Sequence, residues 1–175
     1  MPACFRKLLL RASPSMLVWT ALTVFPSDAA SQTPSVRWQT SVYGPGSSPA
    51  TLGCGNCASD QATMAVDAAG DVIATGYTDT TTLSDMLTIK FSGVTGAEIW
   101  RQQFDDAASG FDQAWALALD GEGNVIVAGY AWNGSEHDIK VIKYASADGA
   151  ILWQTQFTGP AMGVDFAIAI GVDSA

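Results

Sequence analysis

Gly123-Asn-Val-Ile-Val-Ala-Gly-Tyr130 repeats an earlier stretch of the chain, Gly70-Asp-Val-Ile-Ala-Thr-Gly-Tyr77, with few changes. The offset between the two copies is 53 residues, and it recurs from Asp85 to Asp138 and from Trp100 to Trp153. A fixed period of this length is typical of repeated supersecondary units, which bury their apolar faces by stacking on one another. The sequence therefore predicts a repeat architecture.

The second unit contains four short segments with strand character, separated by turn residues. These segments cover 114–119, 125–128, 139–144 and 151–157. Glycine and asparagine in Asp120-Gly-Glu-Gly-Asn124, and the pair Asp148-Gly149, suit tight hairpin turns because both residue types tolerate positive φ. Four antiparallel strands in each repeat are typical of a β-propeller blade, whereas an all-β solenoid usually has shorter repeats. We therefore predict an all-β fold of four-stranded antiparallel propeller blades.

The units are unequal in length. We place the repeats at about 38–99, 100–152 and 153–175, with the third unit truncated, inside a propeller segment spanning 31–175. The first unit contains an insertion at 44–59, which we predict to be a loop. Inserted loops of repeat proteins often lie on the binding face. A closed propeller has at least four blades. We therefore expect a fragment of a longer protein or, if the chain is complete, edge-to-edge self-association through open strands.

The amino terminus resembles a signal rather than a part of the fold. Residues 1–30 combine three basic residues, a ten-residue apolar stretch and small residues suited to cleavage, which is typical of a secretory signal peptide; a buried amino-terminal helix is the alternative. The apolar stretch is too short to span a bilayer. We expect an exported product that is secreted, at the cell surface or periplasmic, with no membrane span after signal removal.

The charge of the chain is strongly acidic. There are 17 acidic residues against 8 basic ones, and the net charge is −9. Such a surface repels nucleic acid and anionic lipid, so we exclude both as partners. The remaining partner classes are a protein or a carbohydrate ligand.

Several motifs together resemble a known bacterial family. They are Gly123 to Tyr130, Asp138 to Tyr144, Asp148-Gly149, Leu152-Trp153, Phe157-Thr-Gly-Pro160, Asp165, Ala167, Ala169 and Val172-Asp173. This set is similar to the beta-propeller repeat, also called the seven-bladed beta-propeller type of repeat. The resemblance covers residues 36–175. It implies an exported bacterial protein with propeller blades, often within a large multidomain chain, and it implies no single activity and no catalytic residues.

A second, weaker similarity concerns Thr95-Gly-Ala-Glu-Ile-Trp100. It is similar to the end of the tryptophan-docking motif of quinoprotein propellers, in which tryptophans stack between blades. The upstream aspartate and alanine of that motif are absent, because Lys90 and Ser92 occupy their places. We therefore expect Trp100 and Trp153 to pack between blades, and we expect no quinone or other cofactor.

Cys54 and Cys57 form the most distinctive local feature of the insertion. In an exported chain they favour a local disulfide, which closes a short loop and contributes about 2 kcal/mol or less. A redox-active pair and a metal site are the alternatives. A thioredoxin-like motif needs a βαβ scaffold, and a zinc site needs two more ligands.

Two residues of the 131–137 loop are the remaining candidates for ligand contact. Trp132 has no aromatic counterpart in the first unit, and His137 is the only histidine. A single histidine without a neighbouring nucleophile is weak evidence for catalysis. Recurring aspartates at 60, 112 and 165 favour a structural role, such as accepting backbone N–H bonds at a turn; calcium binding is the alternative.

The function that we predict from these features is a non-catalytic binding or scaffold module. Ligand contact would involve the 44–59 insertion and the 131–137 loop, with Trp132 and His137 as contacts. The alternative is a part of a propeller enzyme, such as a quinoprotein-like oxidoreductase or a lyase. We identify no catalytic residue and no metal ligand in the sequence.

Overall fold

The structure is a computed structural model that describes residues 37–43, 50–52, 63–79, 83–106, 110–160 and 163–173. The regular elements within these ranges are all strands, which confirms the predicted all-β class. Their bounds are Ala50–Leu52 (β1), Met64–Val66 (β2), Val72–Asp79 (β3), Ser84–Phe91 (β4), Glu98–Phe104 (β5), Gln113–Leu119 (β6), Val125–Trp132 (β7), His137–Tyr144 (β8) and Ile151–Phe157 (β9). The predicted signal segment 1–30, Cys54, Cys57 and Asp60 lie outside the described residues.

The strands form two antiparallel sheets, each a meander of consecutive hairpins. The first sheet has the order β1-β3-β4-β5, with β2 also paired to β3, and the second has the order β6-β7-β8-β9. Glycines with positive φ occupy the turns that precede β3 and β7: Gly70 at 83° and Gly123 at 80°. Their spacing of 53 residues shows that equivalent hairpins close in the same way in both sheets.

Part of the predicted insertion loop is a strand. Residues Ala50 to Leu52 form β1, and Thr51 pairs with Tyr77 just as Gln113 pairs with Tyr130 in the second sheet. Together, β1 and β2 therefore occupy the place on β3 that the single strand β6 occupies on β7. The prediction of a loop over 44–59 was wrong for these three residues, because β3 has free backbone groups there that a strand can pair.

Both sheets carry the same irregularity in their last strand pair. The register shifts between Lys90 and Phe91 in the first sheet and between Lys143 and Tyr144 in the second. A bulge that recurs at the 53-residue offset places Trp100 opposite Lys90 and Trp153 opposite Lys143. The repeat seen in the sequence is thus a repeat of strand register as well.

The first sheet is buried on both of its faces. One face packs against the second sheet, in a cluster that includes Ile73, Met86, Trp100, Ile142 and Tyr144. The opposite face packs against Trp38 and Val42, from the segment that precedes β1, through Ala74, Leu87, Ile89 and Phe91. Every residue of β4 is accordingly buried. The two sheets stack face to face, and neither closes on itself.

The two repeated tryptophans differ in burial. Trp100 is 6% exposed and belongs to the cluster between the sheets, as expected for a residue that packs between blades. Trp153 is 44% exposed, and every residue of its strand β9 is exposed. The expectation of a packed position is therefore confirmed for Trp100 and wrong for Trp153, since no described residue covers that face of β9.

Replacing each tryptophan by alanine should separate these two environments. We expect Trp100→Ala to lower the free energy of unfolding by about 3–5 kcal/mol, because it empties a buried aromatic site. Trp153→Ala should cost about 1 kcal/mol. Urea unfolding followed by circular dichroism measures both losses. Equal losses in the two variants would contradict the packing role of Trp100.

A glycine pair tests the same contact from its other side. Gly149 has a φ of 73°, and a Cβ placed there would lie 2.8 Å from the Trp100 ring. Gly149→Ala should therefore lower the free energy of unfolding by about 1–3 kcal/mol. Gly70→Ala is the matched control, because Gly70 has a similar φ of 83° but its Cβ would meet nothing within 4 Å. Thermal melts should show a smaller loss for the control, and a similar loss at both positions would rule out the contact as the cause.

Candidate functional site

Asp112 joins the two sheets at the start of β6. Its backbone N–H donates to the carbonyl of Ser84 (2.7 Å), in the first sheet. Its carboxylate accepts N–H bonds from Asp106 and Trp132, both at 2.8 Å. Burial raises the pKa of Asp112, and these two bonds partly offset that effect. The predicted structural role for the recurring aspartates is confirmed at this position.

Asp165 repeats the arrangement one unit later. Its N–H donates to the carbonyl of His137 (2.8 Å), and its carboxylate accepts the N–H of Gly159 (2.6 Å). His137 and Gly159 are 53 residues beyond Ser84 and Asp106, so each contact of Asp165 is the counterpart of one made by Asp112. The third member of the set, Asp60, lies outside the described residues.

The structure places Trp132 and His137 in strands rather than in the predicted loop. Trp132 is the last residue of β7, His137 is the first residue of β8, and the two are directly paired. Their rings meet edge to face with centroids 4.9 Å apart. Only the turn 133–136 connects them, and the Asn133 Oδ1 accepts hydrogen bonds from the N–H groups of Ser135 and Glu136 within it. Trp132 is half-buried and ends a strand rather than lying in a loop, and its contact with a ligand stays a prediction.

These two residues belong to a larger group of rings at one end of the second sheet. We define the aromatic cluster by its five members: Trp115, Tyr130, Trp132, His137 and Phe166. Neighbouring ring centroids lie 4.9 to 5.3 Å apart. Sequence reasoning singled out only Trp132 and His137. Trp115 and Phe166 were missed as members of this cluster because nothing in their spacing shows that a bulge in β6 directs Trp115 towards Tyr130.

Tyr130 is the central ring of the cluster and remains a neutral phenol over a wide pH range. Burial, together with the nearby Tyr77 and Asp112, raises the pKa of Tyr130 to about 12. A neutral phenol can donate a hydrogen bond as well as accept one. The cluster therefore combines aromatic surface with a hydroxyl group, which is the chemistry of many small-ligand sites.

Beside the cluster lies Asp138, a buried carboxylate with several donors. Its Oδ2 accepts bonds from Gln156 (2.7 Å), Asn133 (2.8 Å) and Thr158 (2.9 Å). Burial alone would raise the pKa of Asp138, but the three hydrogen bonds outweigh it and lower the pKa. Within the described residues, Asp138 Oδ1 and His137 Nε2 are buried and have no hydrogen-bond partner.

The equivalent carboxylate of the first sheet, Asp85, has the opposite pKa shift. It accepts a hydrogen bond from Gln103, the counterpart of Gln156. Asp105, however, stands where the second unit has Thr158. Burial raises the pKa of Asp85, Gln103 lowers it, and the negative charge of Asp105 raises it further. One change from threonine to aspartate thus replaces a hydrogen-bond donor with a like charge.

A cavity of about 400 Å³ lies where the turn before β3 meets the turn before β7. Its wall includes Lys90, whose ammonium contacts Asp67 (2.8 Å) and Asp71 (3.6 Å) and donates to the carbonyl of Ser146 (3.1 Å). Asp120, also in the wall, pairs with Lys143 at 2.7 Å. Lys90, Asp67 and Asp120 are therefore already in ion pairs, and Glu122, also in the wall, accepts a hydrogen bond from Asn124 Nδ2 (3.0 Å).

The described ranges contain no group of three or more histidine, cysteine, aspartate or glutamate residues that could hold a metal ion. In the same ranges, no helix has the length and apolar character needed to cross a bilayer. No protein-family model matches the chain, and no curated protein is significantly similar to it. The resemblance to beta-propeller repeats and the weaker one to quinoproteins stay predictions.

The two equivalent aspartates should give opposite pH dependences of stability. The lowered pKa of Asp138 means that its carboxylate stabilises the fold above the unfolded pKa, about 3.9. That contribution is lost as pH falls through the folded pKa. Asp138→Asn should therefore lower the free energy of unfolding at pH 7, and should lower it much less in acid.

For Asp85 the sign is reversed. Its raised pKa gives a contribution that is present below about pH 3.9 and is lost as pH rises through the folded pKa. Asp85→Asn should therefore be neutral or stabilising at pH 7. Urea unfolding of both variants between pH 3 and pH 8 measures the two trends. Parallel pH profiles would contradict the opposite pKa shifts of the two aspartates.

Proposed function

We propose that the chain is an exported, non-catalytic module in which four-stranded sheets stack as blades of a β-propeller. The observation that carries this proposal is a tryptophan contact that occurs twice. Trp38 Nε1 donates to the carbonyl of Gly93 (3.1 Å), and its ring lies 6.3 Å from that of Phe91. Trp100 Nε1 donates to the carbonyl of Ser146 (3.2 Å), and its ring lies 6.2 Å from that of Tyr144.

A second contact follows each tryptophan by four residues. Val42 packs with the cluster that contains Leu87, and Phe104 lies under the ammonium of Lys140 at 4.6 Å. Leu87 and Lys140 are equivalent positions, 53 residues apart. The segment containing Trp38 thus contacts the first sheet as β5 contacts the second. We call each tryptophan with the apolar residue four positions later an anchor pair.

Repeated contacts of this kind favour a propeller over a two-sheet sandwich. A sandwich has one buried interface, whereas the first sheet here has an anchor pair of the preceding segment on one face and the second sheet on the other. A unit that presents a tryptophan pair on one face and the site for such a pair on the other can stack on identical units without limit. If the rotation from each unit to the next adds up to a full turn, the stack closes into a ring. Radial repetition of four-stranded sheets is the propeller arrangement.

The aromatic cluster is the binding surface that we propose for this module. It lies at the end of the second sheet, and its Phe166 is 47% exposed. Half-buried rings fixed by strand pairing offer a rigid apolar surface at low entropic cost. Sugar rings and aromatic or apolar protein side chains both fit such a surface. A carbohydrate or a protein is therefore the ligand class that we propose, with the product secreted, at the cell surface or periplasmic.

Oligosaccharides are the first probes for this surface. Titration of the full chain with cello-, chito- and malto-oligosaccharides, followed by tryptophan fluorescence, should give saturable binding to at least one series. Trp132→Ala should weaken that binding about tenfold or more, because it removes one of the large half-buried rings of the cluster. Trp153→Ala is the control, since that ring lies on β9, outside the cluster. Equal weakening by both changes, or none by Trp132→Ala, would contradict a site at the cluster.

A further inference from the structure

The turn 133–136 contains the only Asn-Gly pair of the chain, Asn133-Gly134. The other two asparagines, Asn56 and Asn124, precede cysteine and valine. Asn133 and Gly134 are both exposed, and Gly134 has a φ of 100°. Because glycine has no side chain to shield its backbone nitrogen, that nitrogen has free access to the side-chain amide of the residue before it. The sequence therefore favours backbone attack on the amide of Asn133 over attack on the other two.

The turn holds the Asn133 amide in one orientation. Its Oδ1 accepts hydrogen bonds from the N–H groups of Ser135 (2.8 Å) and Glu136 (2.9 Å). Its Nδ2 donates to Asp138 Oδ2 (2.8 Å). Two backbone donors at these distances stabilise a negative charge that develops on the oxygen, as the donors of an oxyanion hole do. The hydrogen bonds therefore activate the side-chain carbonyl of Asn133 towards a nucleophile.

The attacking nitrogen has no competing contact. The Asn133 N–H closes the turn on the carbonyl of Glu136 (2.9 Å), whereas the Gly134 N–H has no acceptor among the described residues. A hydroxide ion from solvent can therefore remove the proton of Gly134 N–H without first breaking a hydrogen bond. The nucleophile and the activated carbonyl thus belong to adjacent residues of one exposed turn.

We propose that Asn133 is a site of spontaneous deamidation, which adds a negative charge to this turn. Hydroxide removes the proton of Gly134 N–H, and the nitrogen forms a bond to Asn133 Cγ, which places the negative charge on Oδ1. The Cγ–Nδ2 bond then breaks, and Nδ2 takes a proton from water and leaves as ammonia. Water opens the resulting cyclic imide to aspartate or isoaspartate. The net reaction converts the amide and one water into a carboxylate and an ammonium ion, and it does not depend on the proposed binding function.

The new carboxylate would lie beside a carboxylate that is already buried. Asp138 is 1% exposed, and the donors to its Oδ2 are the uncharged side chains of Asn133, Gln156 and Thr158. Aspartate at position 133 can still accept the two N–H groups of the turn, but it can no longer donate to Asp138. Deamidation therefore replaces one of three donors with a like charge.

The charged groups near Asp138 have partners of their own. Glu136 accepts a backbone N–H (2.6 Å), and Lys140 lies 3.8 Å from Asp106. The carboxylate of Asp112 accepts two backbone N–H groups. Within the described ranges no cation is paired with Asp138, so a second negative charge beside it has no direct compensation.

Mass spectrometry of the full chain, kept folded at pH 8 and digested with trypsin at intervals, measures the reaction. The peptide released between Arg101 and Lys140 contains both Asn133 and Asn124, and its fragment ions distinguish the two. Asn124 is the internal control, because it is only 8% exposed and precedes a β-branched residue. Asn133 should lose its amide at least about tenfold faster than Asn124. The loss should also be at least as fast as in a synthetic peptide of residues 130–138.

Asn133→Asp reproduces the aspartate product in the folded chain. It should lower the melting temperature by about 2–4 °C at pH 7, because two carboxylates then repel each other. The loss should be smaller at pH 4, where carboxylates are partly protonated. Ser135→Asp is the matched control, since it adds the same charge to the same turn at a side chain without a described contact to Asp138. It should lower the melting temperature less than Asn133→Asp does.

Three outcomes would overturn the proposal. In the first, the folded chain keeps the amide of Asn133 while the synthetic peptide loses it, which would show that the turn protects the amide. In the second, Asn133 and Asn124 lose their amides at the same rate. In the third, Asn133→Asp and Ser135→Asp have the same melting temperature at pH 7, which would show that the new charge does not act on Asp138.

Discussion

The fold depends on the packing of the Trp100 indole against the hairpin 144–149 of the second sheet. Trp100 reaches from the edge strand β5 to the carbonyl of Ser146 and packs on Tyr144 and Gly149. The contact needs a bulge to direct the ring, a glycine with positive φ to leave room for it, and a carbonyl to receive its N–H. The bulge lies in the first sheet, whereas the glycine and the carbonyl lie on one hairpin of the second sheet, so one sheet supplies the ring and the next sheet receives it. Sheet stacking is therefore a property of the repeat rather than of either sheet alone.

Two carboxylates, the buried Asp112 and the half-buried Asp165, make equivalent backbone links at the other end of the strands. Asp112 links β6 to the start of β4, and Asp165 makes the corresponding link to the start of β8. A carboxylate suits this place because it can accept two backbone N–H groups that burial would otherwise leave unpaired. Residues near these links differ between the two sheets. Asp85 has Asp105 where Asp138 has the donor Thr158, and Asp138 also accepts from Asn133, so the two aspartates have opposite pKa shifts in the same strand register.

Much of this framework could be predicted from the sequence, because it follows from local rules. Alternation, turn residues and the 53-residue period indicate the strands, the hairpins and the role of Asp112. The strand β1 could not be predicted, since its pairing with Tyr77 depends on free backbone groups across the sheet rather than on its own residues. The aromatic cluster was only partly predictable. Trp132 stood out by its lack of a counterpart, but the contact of Trp115 with Phe166 joins residues 51 positions apart through packing.

The edge strands β5 and β9 occupy equivalent positions but differ in charge. In β5, Glu98 and Arg101 form an ion pair at 2.8 Å, and Arg101 also donates to the carbonyl of Tyr43. Ile151 and Gln154 occupy those two positions in β9, so this strand carries no charge. Charged side chains discourage strands from pairing with other chains, and an uncharged, exposed strand of high β propensity favours it. Of these two strands, the uncharged and exposed β9 is therefore the less protected against pairing with other β structure.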